Sequence, residues 1–113
     1  MYCSGLGFSE IGRFQGHQGF DGVLLGEPGH GYHLEFAYCR THPVVPTPTP
    51  EDLLVFYIDD PSEWKMACLS MVKAGFGDVA AFNPYWDQRG RTFEDHDSYR
   101  TVLVQGSWNG RKP

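Results

Sequence analysis

Apolar and polar positions divide the chain into short strands and one helix. In the first forty residues three strand-like runs cover 10–14, 20–25 and 32–38, and two Gly-rich segments separate them. Glycines supply the positive φ that tight turns need, so this half is predicted to be an antiparallel β-β-β meander.

The second half begins with LLVFYI, residues 53–58, which is apolar on both faces and is therefore predicted to be a central strand. A helix follows, with Asp60 as its cap, Pro61 in its first turn and Glu63 completing a capping box. Gly75 can end it in a left-handed turn. The apolar stripe at helical spacing comprises Trp64, Ala67, Cys68, Met71, Val72 and Gly75. Strands at 78–82, 91–94 and 99–105 then complete a β-α-β-β-β order.

The segment THPVVPTPTP, residues 41–50, separates the two halves. Its four prolines remove amide donors and impose extended backbone, which predicts a stiff linker. The sequence therefore predicts one domain over residues 1–113, made of a first module (1–40), a proline-rich linker (41–50) and a second module (51–113).

Composition narrows the class of protein. With 113 residues, of which 41% are hydrophobic, the chain can bury one core. Its net charge of −5, without a basic cluster, argues against nucleic acid and anionic membranes as partners. Neither a signal peptide nor an apolar run of roughly 20 residues is apparent, and the three cysteines form no CxxC pair. These features predict a cytoplasmic protein with reduced thiols.

The stretch GYHLEFAYCRTH, residues 31–42, concentrates metal-ligating residue types. In a strand His33 and Glu35 share one face, whereas Cys39 and His42 lie beyond the strand. A catalytic metal usually needs three protein ligands. His33 and Glu35 therefore either line a cleft as polar residues or bind a metal together with a third ligand.

Four segments, GLGF, FYIDD, NPYWDQRG and FEDHDSYRTVLVQ, resemble the glyoxalase, bleomycin-resistance and extradiol-dioxygenase superfamily, also called vicinal oxygen chelate proteins. The most specific parts are MYCSGLGF and FEDHDSYRTVLV. The resemblance implies an α+β fold of paired βαβββ modules whose curved sheets enclose a cleft for metal, substrate or drug. Here the first module is reduced to β-β-β, without its first strand and most of its first helix.

The resemblance also implies four metal ligands, one from the first and one from the last strand of each module. The first would precede Met1, and the others fall on Glu35, Leu53 and Val102, so only Glu35 is a ligating residue. We therefore expect no cofactor. A divalent metal held by Glu35 and His33 with a third group remains the alternative.

The hairpin turn of the resemblance is Asp-Pro-Asp-Gly, and here it is Asp95-His96-Asp97-Ser98. Serine tolerates positive φ less well than glycine, which predicts a strained or altered turn. Asp95 and Asp97 are expected to bond to their own backbone rather than to serve as an acid and a base.

Without a first helix, one face of the first sheet would lack cover; its residues are Val23, Leu25, Leu34 and Phe36. Such an apolar face predicts a homodimer that buries it or completes the sheet by strand exchange. A reading frame that begins further upstream is the simpler alternative.

The cleft side of the sheets follows from Glu35. Positions expected on the same face are His33, Ala37, Leu53, Val55, Tyr57, Arg100, Val102 and Val104, an apolar surface suited to a small organic ligand. The predicted ligand-binding residues are His33, Glu35, Tyr57, Tyr85, Trp86 and Arg100. Trp86 could equally pack on the sheet edge, and Trp108 could cover the exposed sheet or belong to a mobile tail.

Three functions follow. The first is a metal-free, cytoplasmic, homodimeric protein that holds a small organic molecule in a cleft. The second is a lyase, isomerase or dioxygenase of the same superfamily that uses Glu35, His33 and a third group. The third is a truncated paralogue with only an interaction role. The sequence leaves open whether the protein is an enzyme.

Overall fold

A computed structural model describes residues 1–107 of the chain. The prediction for Trp108 lies outside the described residues. None of the helices in the described part is long and apolar enough to cross a membrane.

The first half folds as a short helix followed by a three-stranded antiparallel sheet in the order β1-β2-β3. Its elements are α1 (Tyr2–Leu6), β1 (Ser9–His17), β2 (Phe20–Gly26) and β3 (His33–Cys39). Gln18 and Gly19 form the turn between β1 and β2, both with positive φ. The predicted meander is confirmed, with β1 and β2 longer than the sequence pattern indicated and β3 shifted by one residue.

The second half is a βαβββ unit with strand order β4-β7-β6-β5. Its elements are β4 (Leu53–Ile58), α2 (Pro61–Lys73), β5 (Gly77–Val79), β6 (Gly90–Glu94) and β7 (Arg100–Gln105). β4 runs parallel to β7, and the remaining pairs are antiparallel. The predicted α+β class is confirmed. The prediction that β4 is central is wrong, because β4 is an edge strand and the internal strands are β7 and β6.

The ends of α2 follow from the sequence. The Oδ2 atom of Asp60 accepts a hydrogen bond of 2.9 Å from the amide of Glu63, which confirms the predicted cap. At the other end Gly75 has φ +99°, and its amide bonds to the carbonyl of Val72 while the amide of Phe76 bonds to that of Met71. This is a Schellman motif, so Gly75 stops the helix as predicted.

The hydrophobic core lies between α2 and one face of the second sheet. Its buried members are Cys68, Met71, Phe76, Phe93 and Leu103. Trp64, which is half-buried, packs on this cluster and donates a 2.8 Å hydrogen bond from its indole nitrogen to the carbonyl of Leu103. Burial also raises the pKa of the Cys68 thiol, in keeping with a core role. The opposite face of the second sheet lies away from α2.

Helix α1 packs on α2 through Gly5. A Cβ at Gly5 would lie 2.9 Å from a ring carbon of Phe76 and 3.0 Å from the sulfur of Met71, so no larger residue fits without rearrangement. The ring of Tyr2 lies 5.1 Å from that of Phe36, centroid to centroid. The prediction of an uncovered face is therefore wrong for Leu25, which is buried, whereas Phe36 remains 39% exposed.

One element was not predicted. The predicted strand 78–82 ends at Val79, and a 3₁₀ turn follows at Pro84–Asp87. The side-chain oxygen of Asn83 accepts a 3.0 Å hydrogen bond from the amide of Tyr85 and caps this turn. A helix-start signal was present in the sequence, since Asn83 is a capping residue and Pro84 fits the first helical position.

Candidate functional site

An open groove separates β3 of the first sheet from β4 of the second. Both strands lie at the edge of their sheets, so the groove runs between two free backbone edges. Its volume is about 680 Å³. The groove is lined by Tyr2, Glu35, Phe36, Ala37, Glu51, Asp52, Leu53, Leu54, Asp95, Asp97, Tyr99 and Arg100. Residues from both faces of each strand contribute because successive side chains point to opposite sides.

The hairpin between β6 and β7 forms one end of this groove. The Oδ1 atom of Asp95 accepts hydrogen bonds from the amides of Asp97, at 2.8 Å, and Tyr99, at 2.9 Å. Ser98 has φ +71°, so of the two predicted alternatives, a strained or an altered turn, the structure shows the strained one. Asp95 therefore stabilises the turn, as expected.

The hydroxyl of Tyr2 donates to Oδ2 of Asp95 across the groove, at 2.7 Å. Burial is the main cause that raises the pKa of Tyr2 well above its usual value, and the hydrogen bond and negative charge of Asp95 raise it further. Tyr2 is thus held in its neutral form and fixes the position of α1 relative to the hairpin.

Arg100 supplies the cationic side chain of the groove. Its Nε atom lies 2.9 Å from an oxygen of Glu94, and the Arg100 side chain is only 16% exposed. Carboxylates dominate the other charged lining positions, which are Glu35, Glu51, Asp52, Asp95 and Asp97. With its positive charge already paired, Arg100 does not offset them, and the groove has a negative electrostatic character.

A smaller inner pocket of about 230 Å³ adjoins the groove. The two share Glu51, Leu53 and Arg100. The other residues lining the pocket are Pro50, Ala81, Phe82, Asn83, Trp86 and Thr92. A ligand in the groove could therefore extend one group into this pocket.

Trp86 lies against the face of the second sheet that α2 does not cover. On one side it lines the inner pocket, and on the other it lines a cavity of about 100 Å³ together with Tyr57, Tyr85 and Val104. Its close approach depends on Gly90, where a Cβ would lie 2.7 Å from the carbonyl oxygen of Trp86. A glycine at this point of β6 lets the 3₁₀ turn dock on the sheet.

The six predicted ligand-binding residues fall into three places. Glu35 and Arg100 line the groove and Trp86 lines the inner pocket. Tyr57 and Tyr85 line the small cavity beyond Trp86, and His33, at the start of β3, is not among the residues that line the groove.

Sequence reasoning missed the part of the lining that comes from α1 and the hairpin. Its members are Tyr2, Asp97 and Tyr99, and Asp95 was assigned only a turn role. No periodicity joins residues so far apart in the chain. Thr92 was also missed. It lies directly across from Val102 in the sheet, so the two side chains share a face, and Val102 was predicted to lie on the cleft side.

The residues at the metal positions implied by the resemblance do not fit a metal. Leu53 and Val102 are apolar, and Val102 is fully buried. Within residues 1–107 no three His, Cys, Asp or Glu side chains lie close enough together to hold an ion. Glu35 is left without the companions that a divalent cation requires.

Comparison with known proteins agrees with this architecture. Residues 1–37 match the YycE-like N-terminal domain family, and residues 51–105 match the YycE-like C-terminal domain family. The uncharacterized protein YycE of Bacillus subtilis (strain 168) is 39% identical over 104 residues, which are 92% of this chain and 75% of that protein. The chain belongs to the YycE-like family.

Solved structures place this YycE-like chain in the glyoxalase, bleomycin-resistance and dioxygenase superfamily. A crystal structure of a Bacillus subtilis YycE protein of unknown function, described as a candidate glyoxalase or fosfomycin-resistance protein, matches with a TM-score of 0.86 and 37% identity. The match covers 98% of this chain and 81% of that one.

More distant structures share the fold. Glyoxalase I of Leishmania major matches with a TM-score of 0.67 and 17% identity, over 93% of this chain and 73% of that chain. TnmS3, an antibiotic-binding protein from a Streptomyces species, matches with a TM-score of 0.59 and 22% identity, over 94% of this chain and 81% of that chain.

Proposed function

We propose that this protein binds a small organic molecule in the groove between β3 and β4. The observation that carries the proposal is a groove of about 680 Å³ that continues into an inner pocket. Its size falls within the roughly 300–1,000 Å³ typical of small-molecule sites. Half of its twelve lining residues are apolar or aromatic, among them Phe36, Leu53 and Tyr99, and the other half are charged.

Charge narrows the ligand class. The carboxylates of Glu35, Glu51 and Asp52 lie along the groove, and the guanidinium of Arg100 is already paired with Glu94. An anion would meet net repulsion, whereas a neutral or cationic molecule would not. The ligand is therefore a neutral or positively charged organic compound. TnmS3, which has the same fold, is an antibiotic-binding protein, and this agrees with a ligand of drug size.

The proposal includes a homodimer. Phe36 and Tyr38 on β3 are 39% and 54% exposed, and the outer edge of this strand pairs with no other strand in the described part of the chain. Exposed apolar side chains on an edge strand favour association, so the second copy covers Phe36 and Tyr38. The proposed compartment is the cytoplasm, because Cys3, Cys39 and Cys68 are free thiols.

A thermal-shift screen tests the ligand proposal. The purified protein is heated with matched sets of neutral, cationic and anionic drug-sized compounds. We expect neutral or cationic compounds to raise Tm, since a ligand at about 100 times its Kd adds about 2.7 kcal/mol to the free energy of unfolding. Leu53→Asp should abolish the shift. Ile11→Asp, on β1 and outside the groove, is the control and should retain it.

Two results would contradict this function. If no compound raises Tm at any concentration, a role in protein interaction is the better account. If the purified protein instead carries zinc, nickel, manganese or iron at one equivalent per chain, and Glu35→Ala removes it, the protein is a metal-dependent member of the superfamily. Elemental analysis of the wild type and of Glu35→Ala separates these outcomes.

A further inference from the structure

The inner pocket contains a polar group without a partner. Thr92 lies on β6, is 1% exposed, and its hydroxyl makes no hydrogen bond to any residue in the range 1–107. A buried hydroxyl that lacks a partner is costly, and native structures rarely keep one without a reason. Thr92 is also one of the residues that line the inner pocket.

Two polar atoms among the residues that line this pocket are already engaged. Asn83 caps the 3₁₀ turn through its side-chain oxygen, and the Nε of Arg100 is bound to Glu94. Among the described residues that line the pocket, Thr92 carries the buried side-chain polar atom that has no partner. Rotation about its Cα–Cβ bond moves the hydroxyl between staggered positions, which gives it access to a group in the pocket.

We infer that the inner pocket beneath Trp86 binds an uncharged, ring-sized group bearing one hydroxyl or carbonyl oxygen, which hydrogen-bonds to Thr92. This inference rests on the proposed function, because the ring is one end of the molecule held in the groove. The pocket volume of about 230 Å³ exceeds the roughly 150 Å³ cavity that accommodates benzene. Leu53, Ala81 and Phe82 supply apolar contact around the ring.

The ring group is uncharged for two reasons. Glu51 lines both the pocket and its junction with the groove, so an anionic group would be repelled. A cation would be attracted by Glu51, but it would lose its hydration in a pocket whose other lining residues are mostly apolar, and Arg100 lines the same pocket. A single neutral oxygen can pair with the Thr92 hydroxyl.

The chain provides a matched control for Thr92. Thr101, on β7, is also fully buried and also lacks a hydrogen-bond partner in the described residues. It pairs with Phe93 across the sheet and so shares the face that packs against α2. Replacing either threonine with valine removes one buried hydroxyl at similar volume, but only Thr92→Val alters the inner pocket.

The test uses phenol and toluene, which have nearly the same shape and differ in one hydroxyl. Each is titrated into ¹⁵N-labelled wild type, Thr92→Val and Thr101→Val, and Kd is taken from amide shifts around residues 90–94. We expect phenol to bind the wild type about fivefold more tightly than toluene, the effect of one added hydrogen bond. Thr92→Val should bring the ratio of the two Kd values close to one, while Thr101→Val should leave it unchanged.

Three results would overturn the inference: no amide shift near residues 90–94 with either compound, a phenol preference that survives in Thr92→Val, or equal loss of the preference in both variants. The outcome is separable from the groove proposal. Drug-sized compounds that raise Tm while phenol fails to bind would refute the inner pocket alone. Phenol that binds while no larger compound raises Tm would refute the groove function.

Discussion

The hydroxyl of Tyr2 lies 2.7 Å from Oδ2 of Asp95, and this hydrogen bond joins the first helix to a hairpin 93 residues away in the chain. Its two partners come from different halves of the molecule and both line the groove. The bond therefore fixes one end of the groove as well as the relative position of the two halves.

Tyr2→Phe removes this bond and should lower the free energy of unfolding by about 1 kcal/mol near neutral pH. The pKa of Tyr2 is raised in the folded state, so folding favours its neutral form, and this stability is present below the unfolded pKa of about 10. As pH rises above about 10 the unfolded chain loses the proton first, so the stability falls. The difference in the free energy of unfolding between wild type and Tyr2→Phe should therefore shrink above this pH.

Urea denaturation at pH 8 and at pH 10.5 measures this effect. If the difference in the free energy of unfolding between the two proteins stays constant or grows with pH, Tyr2 is not held neutral by burial and by Asp95.

Gly90→Ala should displace the 3₁₀ turn from the second sheet. The added Cβ would approach the carbonyl oxygen of Trp86 to 2.7 Å and that of Leu103 to 3.2 Å, and backbone atoms cannot move aside cheaply. Overpacking of this kind costs about 1–3 kcal/mol. The indole N–H signal of Trp86 in ¹H–¹⁵N spectra should shift, and the inner pocket should lose its phenol preference.

Gly77→Ala is the matched control for this change. Gly77 lies on β5, and a Cβ there would have its nearest neighbour at 3.9 Å, an ordinary contact. If Gly77→Ala destabilises the protein as much as Gly90→Ala, the cost reflects general intolerance of alanine in these strands rather than contact with Trp86.

Arg100→Met should lower the free energy of unfolding. Arg100 and Glu94 are 16% and 28% exposed, so removal of the cation leaves a carboxylate that water only partly solvates, at a cost of about 2 kcal/mol. Arg13→Met breaks a similar pair with Glu10 at 2.7 Å, but both partners are exposed. That control should unfold at the same urea concentration as the wild type. If both variants lose the same free energy of unfolding, the pair of Arg100 and Glu94 stabilises the fold no more than an exposed pair does.

Phe36→Lys should convert the proposed homodimer to a monomer. A lysine charge is costly to bury in an apolar interface, and Phe36 is an apolar side chain on β3 that is 39% exposed in the single chain. Ile11→Lys, at a similarly exposed position on β1, should leave the dimer intact. Sedimentation velocity at micromolar concentration measures both variants, and a wild type that is monomeric under these conditions would exclude the dimer.

Local chemistry made several features predictable. The bounds of β4, the Asp60 cap of α2, the stop at Gly75 and the positive φ of Ser98 each depend on residues within a few positions of one another. The 3₁₀ turn at Pro84–Asp87 was missed even though Asn83 and Pro84 carry a local signal, because the preceding apolar run was read as a longer strand.

The place of β4 at a sheet edge could not be read from its sequence. An apolar strand is expected in the interior, but β4 instead borders the groove, where its outer edge faces β3. The candidate site depends on the same long-range arrangement. Glu35, Leu53 and Arg100 were predicted to share a cleft and do line one groove, whereas His33 was predicted with them and is not among its lining residues.

By itself the sequence determined the helix, most of the strands, their turns and the superfamily, because propensity, capping and alternation act over neighbouring residues. Only the tertiary structure decided that Tyr2 reaches Asp95, that Gly90 admits the Trp86 turn, and that Thr92 is buried without a partner. Those relationships depend on how two sheets and two helices pack together, and contacts between residues distant in the chain leave no periodic signal in it.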